Sequence, residues 1–238
     1  MTPQPPDARE AAPLQAQAEA LRPWVRAEGM DDYVLAHIDP EDPYLHALRR
    51  AAHLHLLYPR MVTGPLQGSL LRMLVRMVRP RLALEVGTYS GYSALCIARA
   101  LPPGAVLHTF ERNDELEPFL RRWLLGSPYA DRIRLHLGDA LTLIPALDLR
   151  PDLIYIDSDK RSYAEAYRLL LPLLQPGGYL LADNTLWDGH VLEPHPRDPQ
   201  TIGVQTFNDL IAHDPRVERV ILPFRDGLTI VRKREEGE

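Results

Sequence analysis

The stretch at residues 81–98, RLALEVGTYSGYSALCIA, constrains the fold of this 238-residue chain more than any other segment. It opens with the apolar run Leu82–Val86, which predicts a strand that is buried on both faces, as in a parallel sheet. Gly87 follows, where the backbone must bend or approach another group closely. After Gly91 apolar residues recur at helical spacing, and Ser90 is placed to cap that helix. Free N–H groups at such a turn can bind a small ligand, but the turn can also be an ordinary strand-to-helix connection. This stretch alone does not distinguish the two.

Apolar runs and helical patterns alternate regularly through the rest of the chain. Strands are predicted at 106–110, 133–137, 153–156 and 179–182, with helices at 116–125, up to 146 and at 163–174 between them. This alternation predicts a doubly wound, mostly parallel α/β sheet. Two last strands, 217–222 and 228–231, flank a short turn containing Asp226 and Gly227. They should pair as an antiparallel hairpin, which makes the sheet seven-stranded.

The segment before the sheet is predicted to be helical. Residues 14–28 and 43–57 read as helices, and a further helix that begins near Pro65 carries one apolar stripe, formed by Leu66, Leu70, Leu74 and Val78. We therefore expect an N-terminal helical annex over residues 1–58 and a main domain over residues 59–238. The annex is also the expected interface of a homodimer.

Composition argues against several classes of function. A net charge of -5, with both signs interspersed, leaves no electrostatic footprint for nucleic acid and no basic anchor for a membrane. The N-terminal residues lack the basic start and apolar core of a signal peptide, and the most apolar later stretch, LLLPLLQPGGYLLA, is broken by prolines and glycines. The one cysteine, Cys96, permits no internal disulfide. We expect a cytoplasmic protein that binds neither nucleic acid nor membrane.

Acidic residues stand at the carboxyl ends of the predicted strands, namely Glu85, Glu111, Asp139, Asp157 and Asp183. Ligands of open parallel sheets bind outside those ends, and neighbouring carboxylates repel each other unless a positive group lies between them. An acid at the position of Glu111 accepts hydrogen bonds from ribose hydroxyls, which leaves nicotinamide enzymes and S-adenosylmethionine (SAM) enzymes both open. Gly87 and Gly91 lack the spacing of a dinucleotide fingerprint, and this favours SAM, which carries no phosphate.

A candidate metal site lies at the last two of these strand ends. Asp157, Asp183 and Asn184 converge from two strands and present hard oxygen ligands. Such a set suits Mg²⁺, with Mn²⁺ or Ca²⁺ as alternatives, and differs from the His and Cys ligands of zinc sites. Lys160 follows Asp157 by one helical turn and would lie beside the metal. A lysine near a divalent cation has its charged form disfavoured, so Lys160 is the candidate general base.

The order of these motifs resembles the cation-dependent O-methyltransferases of the catechol and caffeoyl-CoA type. The matching segments are MVTGPLQGSLL, LEVGTYSGYSALCIARAL, the acid of HTFER, GDA at 138–140, IDSDK followed by Tyr163, PGG at 176–178, DNTLWDGHV, and DGL at 226–228. The resemblance implies a Rossmann-like class I methyltransferase fold. It further implies methyl transfer from SAM to one hydroxyl of a small vicinal-dihydroxy aromatic molecule, such as a catechol, with a divalent cation bound.

The resemblance also assigns individual positions. It places against SAM the residues Met61, Thr63, Glu85, Gly87, Tyr89, Ser93, Glu111, Asp139, Ala140 and Asp157, with Glu111 at the ribose and Asp139 and Ala140 beside the adenine. It makes Asp157, Asp183 and Asn184 the metal ligands, and Lys160 with Asp157 the catalytic pair. The chain departs from the family pattern at Ser158 and Asp159, and residues 220–225 contain no acid to grip the acceptor, so the acceptor is not specified.

Two other functions stay open beside this one. A nicotinamide-dependent oxidoreductase is the alternative enzyme, and a SAM-binding protein without catalysis is the alternative class, although such a protein has no need of Lys160. Trp187 and His190 fall in a loop expected over the acceptor. Trp187 is equally well a core aromatic. His190 and His195 could reach the substrate, although a loop histidine is more often simply solvated.

Overall fold

A computed structural model of the chain describes residues 29–235 and 237. The chain divides into two compact units, Met1–Glu41 and Asp42–Glu238. In the first unit the described helix is α1, Met30–His37, which begins after Gly29 in a left-handed conformation. The helix predicted at residues 14–28 lies outside the described residues. The expected boundary between an annex and a main domain at residue 58 stays a prediction.

The described residues of the second unit form one mixed sheet. Its strands are β1 Leu82–Val86, β2 Val106–Glu111, β3 Ile133–Leu137, β4 Leu153–Ile156, β5 Tyr179–Asp183, β6 Val217–Leu222 and β7 Leu228–Lys233, in the spatial order β3-β2-β1-β4-β5-β7-β6. Strands β1 to β5 are parallel, whereas β7 pairs antiparallel with both β5 and β6. This arrangement confirms the predicted doubly wound α/β sheet with its antiparallel C-terminal hairpin.

Helices flank the sheet on both sides. They are α2 Pro43–His55, α3 Pro65–Val78, α4 Tyr92–Ala100, α5 Glu117–Trp123, α6 Ala140–Leu143, α7 Tyr163–Leu173 and α8 Pro199–Ala212, with 3₁₀ turns at Pro59–Met61, Asp114–Leu116, Ala130–Arg132, Ile144–Leu147, Lys160–Ser162 and Trp187–Leu192. Helix α8 was not predicted, although Asp198 before Pro199 is a typical helix start. The Asp198 side chain accepts a hydrogen bond from the N–H of Thr201. Within residues 29–235, no helix has the length and apolarity that crossing a membrane requires.

Two hydrophobic clusters lie on opposite faces of the sheet. The first joins α2 to α5 with the sheet and includes the fully buried Leu71 and Leu95. The second joins α6 to α8 with the other face, where Tyr163 and Tyr167 pack edge-on against Phe207. Because both faces are covered, the central strands read in the sequence as continuous apolar runs rather than alternating ones.

The buried face of α3 is not the stripe that the sequence predicted. The predicted residues Leu66, Leu70, Leu74 and Val78 are only half-buried, whereas the buried side consists of Gln67, Gly68, Leu71, Arg72 and Val75. The reason is Gly68, since a Cβ atom there would lie 2.7 Å from Cys96 Sγ and 2.9 Å from the Tyr92 ring. The glycine lets α3 approach α4 closely, and this turns a glutamine toward the interior.

Candidate active site

A cavity of about 660 Å³ opens at the carboxyl ends of the parallel strands, a volume typical of small-molecule sites. Its walls include every predicted site residue except Glu85, that is, Met61, Thr63, Gly87, Tyr89, Ser93, Glu111, Asp139, Ala140, Asp157, Lys160, Asp183 and Asn184. The strand ends meet at one edge of the sheet, so the fold brings these scattered residues together. Their individual roles stay predictions.

The turn after β1 is held in an unusual backbone conformation. Gly87 has a φ of 101° and Tyr89 a φ of 44°, and the N–H groups of Gly87 and Thr88 both donate to Phe110 O, at 3.0 and 3.1 Å. A Cβ atom on Gly87 would lie 2.0 Å from the backbone oxygen of Asp157. Only glycine therefore lets the ends of β1 and β4 approach each other at the floor of the cavity.

Helix α4 begins at this turn without a capping side chain. The prediction that Ser90 caps this helix is wrong, because Gly91 occupies the N-cap position with a φ of 80°. No side-chain hydrogen bond caps the helix. Ser90 and Ser93 instead line the cavity. The positive end of the helix is thus presented to the cavity without a side-chain cap.

Glu111 and Asp139 are fixed by backbone N–H groups. Glu111 Oε2 accepts from Tyr89 N at 2.7 Å, and its Oε1 accepts from Asn113 N at 2.8 Å. Asp139 accepts a hydrogen bond from Leu141 N at 2.8 Å and so caps α6. The same residue also lines the cavity. Both carboxylates therefore have a set orientation at the cavity edge before any ligand binds.

Glu85 lies below the cavity and is fully buried in β1. Burial raises the pKa of Glu85 to about 8, although the hydrogen bond from Thr109 offsets part of that effect. Thr109 donates to Oε2 at 2.5 Å, while Oε1 has no hydrogen-bond partner among the described residues. Burial therefore favours the uncharged form of this carboxyl group.

We expect Glu85→Gln to change how stability depends on pH. The pKa of Glu85 is raised on folding, so the wild-type protein loses stability as pH rises from about 4.5 to about 8. For one group, the free energy of unfolding can fall by up to about 1.4 kcal/mol per pH unit. The glutamine variant has no proton to lose at this position and should not show that fall. Thermal unfolding of SAM-free protein between pH 4.5 and 9 measures the difference.

The surface change Glu117→Gln is the matched control for that experiment. It removes an exposed ion pair between Glu117 and Arg121 on α5, which is worth little to stability. Its stability should follow the wild-type pH dependence. If stability changed with pH in the same way in wild type and Glu85→Gln, Glu85 would not hold its proton in the folded protein.

Lys160 is buried in the cavity wall beside Asp157. Its Nζ donates to Asp157 Oδ1 at 3.0 Å and to the Tyr163 hydroxyl at 2.9 Å, and that hydroxyl donates to Asp183 O at 3.0 Å. Burial by itself lowers the pKa of Lys160, but Tyr163 and Asp157 outweigh it and leave the pKa above its usual range. Lys160 is therefore an ammonium group in the ligand-free protein. A cation bound at Asp157 would offset one of the charges that favour this ammonium form.

Asp183 ends β5 with both carboxylate oxygens held. Its Oδ2 accepts from Gln67 Nε2 at 2.6 Å and from the Tyr155 hydroxyl at 3.3 Å, and its Oδ1 accepts from Asn184 N at 2.9 Å. Burial, and after it the charge of Asp157, raises the pKa of Asp183. A cation between the two carboxylates would relieve this repulsion.

The donor chemistry at this wall fits a hard divalent cation. Asp157 and Asp183 offer carboxylate oxygens and Asn184 an amide oxygen, which is the ligand chemistry of Mg²⁺ and Ca²⁺. Asn184 has a left-handed φ of 55°, a strained conformation of the kind that concentrates at functional sites. Within residues 29–235, no three side chains of His, Cys, Asp or Glu group closely enough to hold a metal ion, so the predicted set depends on the amide.

Three further cavity residues lie beyond Asn184 in the chain: Trp187, Gln200 and Arg225. Trp187 is half-buried with its ring centroid 6.0 Å from Lys160 Nζ, so it is a cavity residue and not a core aromatic. Gln200 and Arg225 were not predicted, since neither lies at the end of a parallel strand. His190 and His195 do not line the cavity, and His190 pairs with Glu193 at the surface.

Comparisons with known proteins agree with this fold and cavity. The model of the O-methyltransferase family matches residues 36–234. The chain is similar to catechol O-methyltransferase domain-containing protein 1 of Mus musculus, with 34% identity over 84% of this chain and 78% of that protein. It is also similar to caffeoyl-CoA O-methyltransferase 1 of Arabidopsis thaliana, with 29% identity over 95% of this chain and 93% of that protein.

Solved structures show the same likeness. The O-methyltransferase TomG of Streptomyces achromogenes, which is involved in tomaymycin synthesis and was solved in complex with SAM, has a TM-score of 0.82 and 28% identity. The match covers 90% of this chain and 100% of that one. The likeness therefore extends over nearly the whole of a SAM-binding enzyme.

Proposed function

The chain belongs to the O-methyltransferase family and is a SAM-dependent enzyme, and we propose that it methylates one hydroxyl of a vicinal-dihydroxy aromatic molecule with a divalent cation bound. The observation that carries this proposal is the grouping of Asp157, Lys160, Asp183 and Asn184 along the walls of one cavity. The names of two relatives support it, because catechol and the caffeoyl group both carry adjacent aromatic hydroxyls. The relatives named above are O-methyltransferases, and this favours SAM over a nicotinamide cofactor.

On the cofactor side, the proposal assigns the turn after β1 and the start of α4 to the methionine part of SAM. Gly87, Tyr89 and Ser93 line that part of the cavity, and Glu85 supplies a buried carboxyl group beneath it. A cationic ammonium group nearby would favour the ionised form of Glu85. Glu111 is proposed to bind the ribose, since its two oxygens are already oriented and still have lone pairs to accept hydroxyl donors. The remaining cofactor contacts are assigned to Met61, Thr63, Asp139 and Ala140.

On the acceptor side, the proposal assigns Asp157, Asp183 and Asn184 to the cation. When bound there, the cation would polarise an acceptor hydroxyl and neutralise the charge of the carboxylates. Lys160, as a neutral amine, takes the hydroxyl proton. The acceptor oxygen then bonds to the methyl carbon of SAM while the bond from that carbon to sulfur breaks, and sulfur keeps the electron pair. Tyr163 holds Nζ of Lys160 in place through its hydroxyl.

Methyl transfer from labelled SAM to catechols, measured with Mg²⁺ and with EDTA, tests this function directly. We expect transfer to catechol and to caffeic esters with Mg²⁺, and its loss when EDTA removes the cation, because two carboxylates without a cation cannot hold a chelating acceptor. Phenol, which has a single hydroxyl, is the matched acceptor control and should be methylated poorly.

Each other result would change the proposal in a defined way. Transfer that EDTA leaves unaffected would remove the cation from the mechanism while keeping the methyltransferase. SAM binding without transfer to any dihydroxy aromatic would contradict the acceptor class and favour the non-catalytic alternative. The homodimer predicted from the N-terminal helices stays part of the proposal and does not affect these outcomes.

A further inference from the structure

Gln67 is a buried polar residue that connects α3 to the proposed cation site. Its side chain is 2% exposed, although it belongs to a helix that contributes none of the proposed ligands. Its Nε2 donates to Asp183 Oδ2 at 2.6 Å and to the Tyr155 hydroxyl at 3.0 Å. On its other side, Oε1 accepts from the guanidinium group of Arg225. A buried amide with such partners is costly to replace, because each partner would be left unsatisfied.

The two flanking groups permit only one orientation of the amide. A guanidinium group only donates hydrogen bonds and an ionised carboxylate only accepts them. The amide oxygen must therefore face Arg225, and the amide nitrogen must face Asp183. The reverse orientation would set donor against donor and acceptor against acceptor. Arg225 and Asp183 thus select the same orientation of the Gln67 amide, with the nitrogen toward Asp183.

We infer that Gln67 is a positioning residue that holds Asp183 in the orientation of a cation ligand, and that Arg225 in turn fixes Gln67. This inference rests on the proposed function. Asp183 Oδ1 is held by Asn184 N, and Gln67 makes the shorter of the two hydrogen bonds to Oδ2, so rotation of the carboxylate is opposed at both oxygens. Groups that orient a metal ligand in this way are typically worth about 10–100-fold in metal affinity.

Binding of Mn²⁺, followed by the loss of the electron paramagnetic resonance signal of the free ion, tests the inference without measuring activity. We expect Gln67→Met, which keeps the length of the side chain and removes its donor, to weaken Mn²⁺ binding about 10–100-fold. SAM affinity, measured calorimetrically without metal, should stay at the wild-type value because Gln67 does not line the cavity.

Gln205→Met is the matched control. Gln205 lies on α8 and donates to the backbone oxygens of Val191 and Glu193 at 3.0 and 2.8 Å, and none of its hydrogen bonds reaches Asp183. The same substitution there should leave Mn²⁺ affinity unchanged. If Mn²⁺ affinity fell equally in both variants, the effect of Gln67→Met would be a general consequence of removing a glutamine. That result would overturn the inference.

The remaining outcomes separate this inference from the proposed function. A wild-type protein that binds SAM but no Mn²⁺ would overturn the cation site, and the inference would fall with it. Mn²⁺ binding that is equal in wild type and Gln67→Met would overturn the inference alone. If Gln67→Met does not fold, Arg225→Met decides the question, because it removes the hydrogen bond that holds the amide oxygen of Gln67. Weaker Mn²⁺ binding in that variant supports the inference, and wild-type affinity contradicts it.

Discussion

Replacement of Lys160 by methionine is expected to lower the turnover number about 10²–10⁴-fold while SAM still binds. Lys160 is 5% exposed, and its Nζ is held by Asp157 and Tyr163 at the cavity wall. Methionine has a similar length and keeps the packing but has no group that can accept a proton. Initial rates at saturating SAM and catechol, together with calorimetric SAM binding, measure the two effects separately.

Lys160→Arg separates a base from a structural cation at this position. Arginine keeps a positive charge for Asp157, yet it does not give up its proton in proteins. If Lys160 acts as the base, both variants lose turnover to a similar extent. An arginine variant that is folded and nearly as active as wild type would show that only the positive charge is needed.

The pH dependence of the rate provides an independent readout of the same proposal. Only the neutral amine accepts a proton, and the pKa of Lys160 in the ligand-free protein lies above its usual range. Wild-type turnover should therefore rise with pH, and the residual activity of Lys160→Met should lack that rise. Equal pH profiles for the two proteins would exclude Lys160 as the group that titrates.

The fold and the position of the site could be predicted from the sequence because their signals are local. An apolar run followed by Gly87 identifies a buried strand and a tight turn within a few residues. Strand ends of a parallel sheet share one edge, so Glu111, Asp157 and Asp183 could be placed together without knowledge of any distance. The C-terminal hairpin could be predicted from an equally local signal, because Gly227 marks a turn between two apolar runs.

The parts that were missed depend on contacts between distant segments. Gln67 reads as a polar position on a helix, and its burial follows from the close approach of α3 and α4 at Gly68. Its bond with Arg225 joins residues 158 positions apart in the chain. The pKa of Lys160 likewise depends on the packing of Tyr163 and Asp157 around it, and not on its spacing from an acid. No periodicity or motif encodes these contacts.

Gly87→Ala is expected to weaken SAM binding and to destabilise the protein, because the added Cβ atom displaces the turn that lines the proposed cofactor part of the cavity. The new Cβ atom would lie 2.0 Å from Asp157 O and 3.3 Å from the Cα atom of Ser158. These atoms cannot withdraw easily, because Asp157 N donates to Val86 O at 2.9 Å and β1 pairs with β4 directly before the turn. The overpacking costs about 1–3 kcal/mol of folding free energy.

Gly104→Ala distinguishes that clash from the cost of a left-handed alanine. Gly104 has a φ of 80°, lies in the exposed turn between α4 and β2, and has no atom within 4 Å of an added Cβ. Gly104→Ala should lose only about 1–2 kcal/mol of folding stability, which is the cost of a left-handed alanine, and should keep the wild-type affinity for SAM. Calorimetric SAM titration and thermal unfolding of both variants measure the difference. If Gly87→Ala bound SAM as tightly as Gly104→Ala, the close approach of β1 and β4 at this turn would not be what shapes the cofactor site.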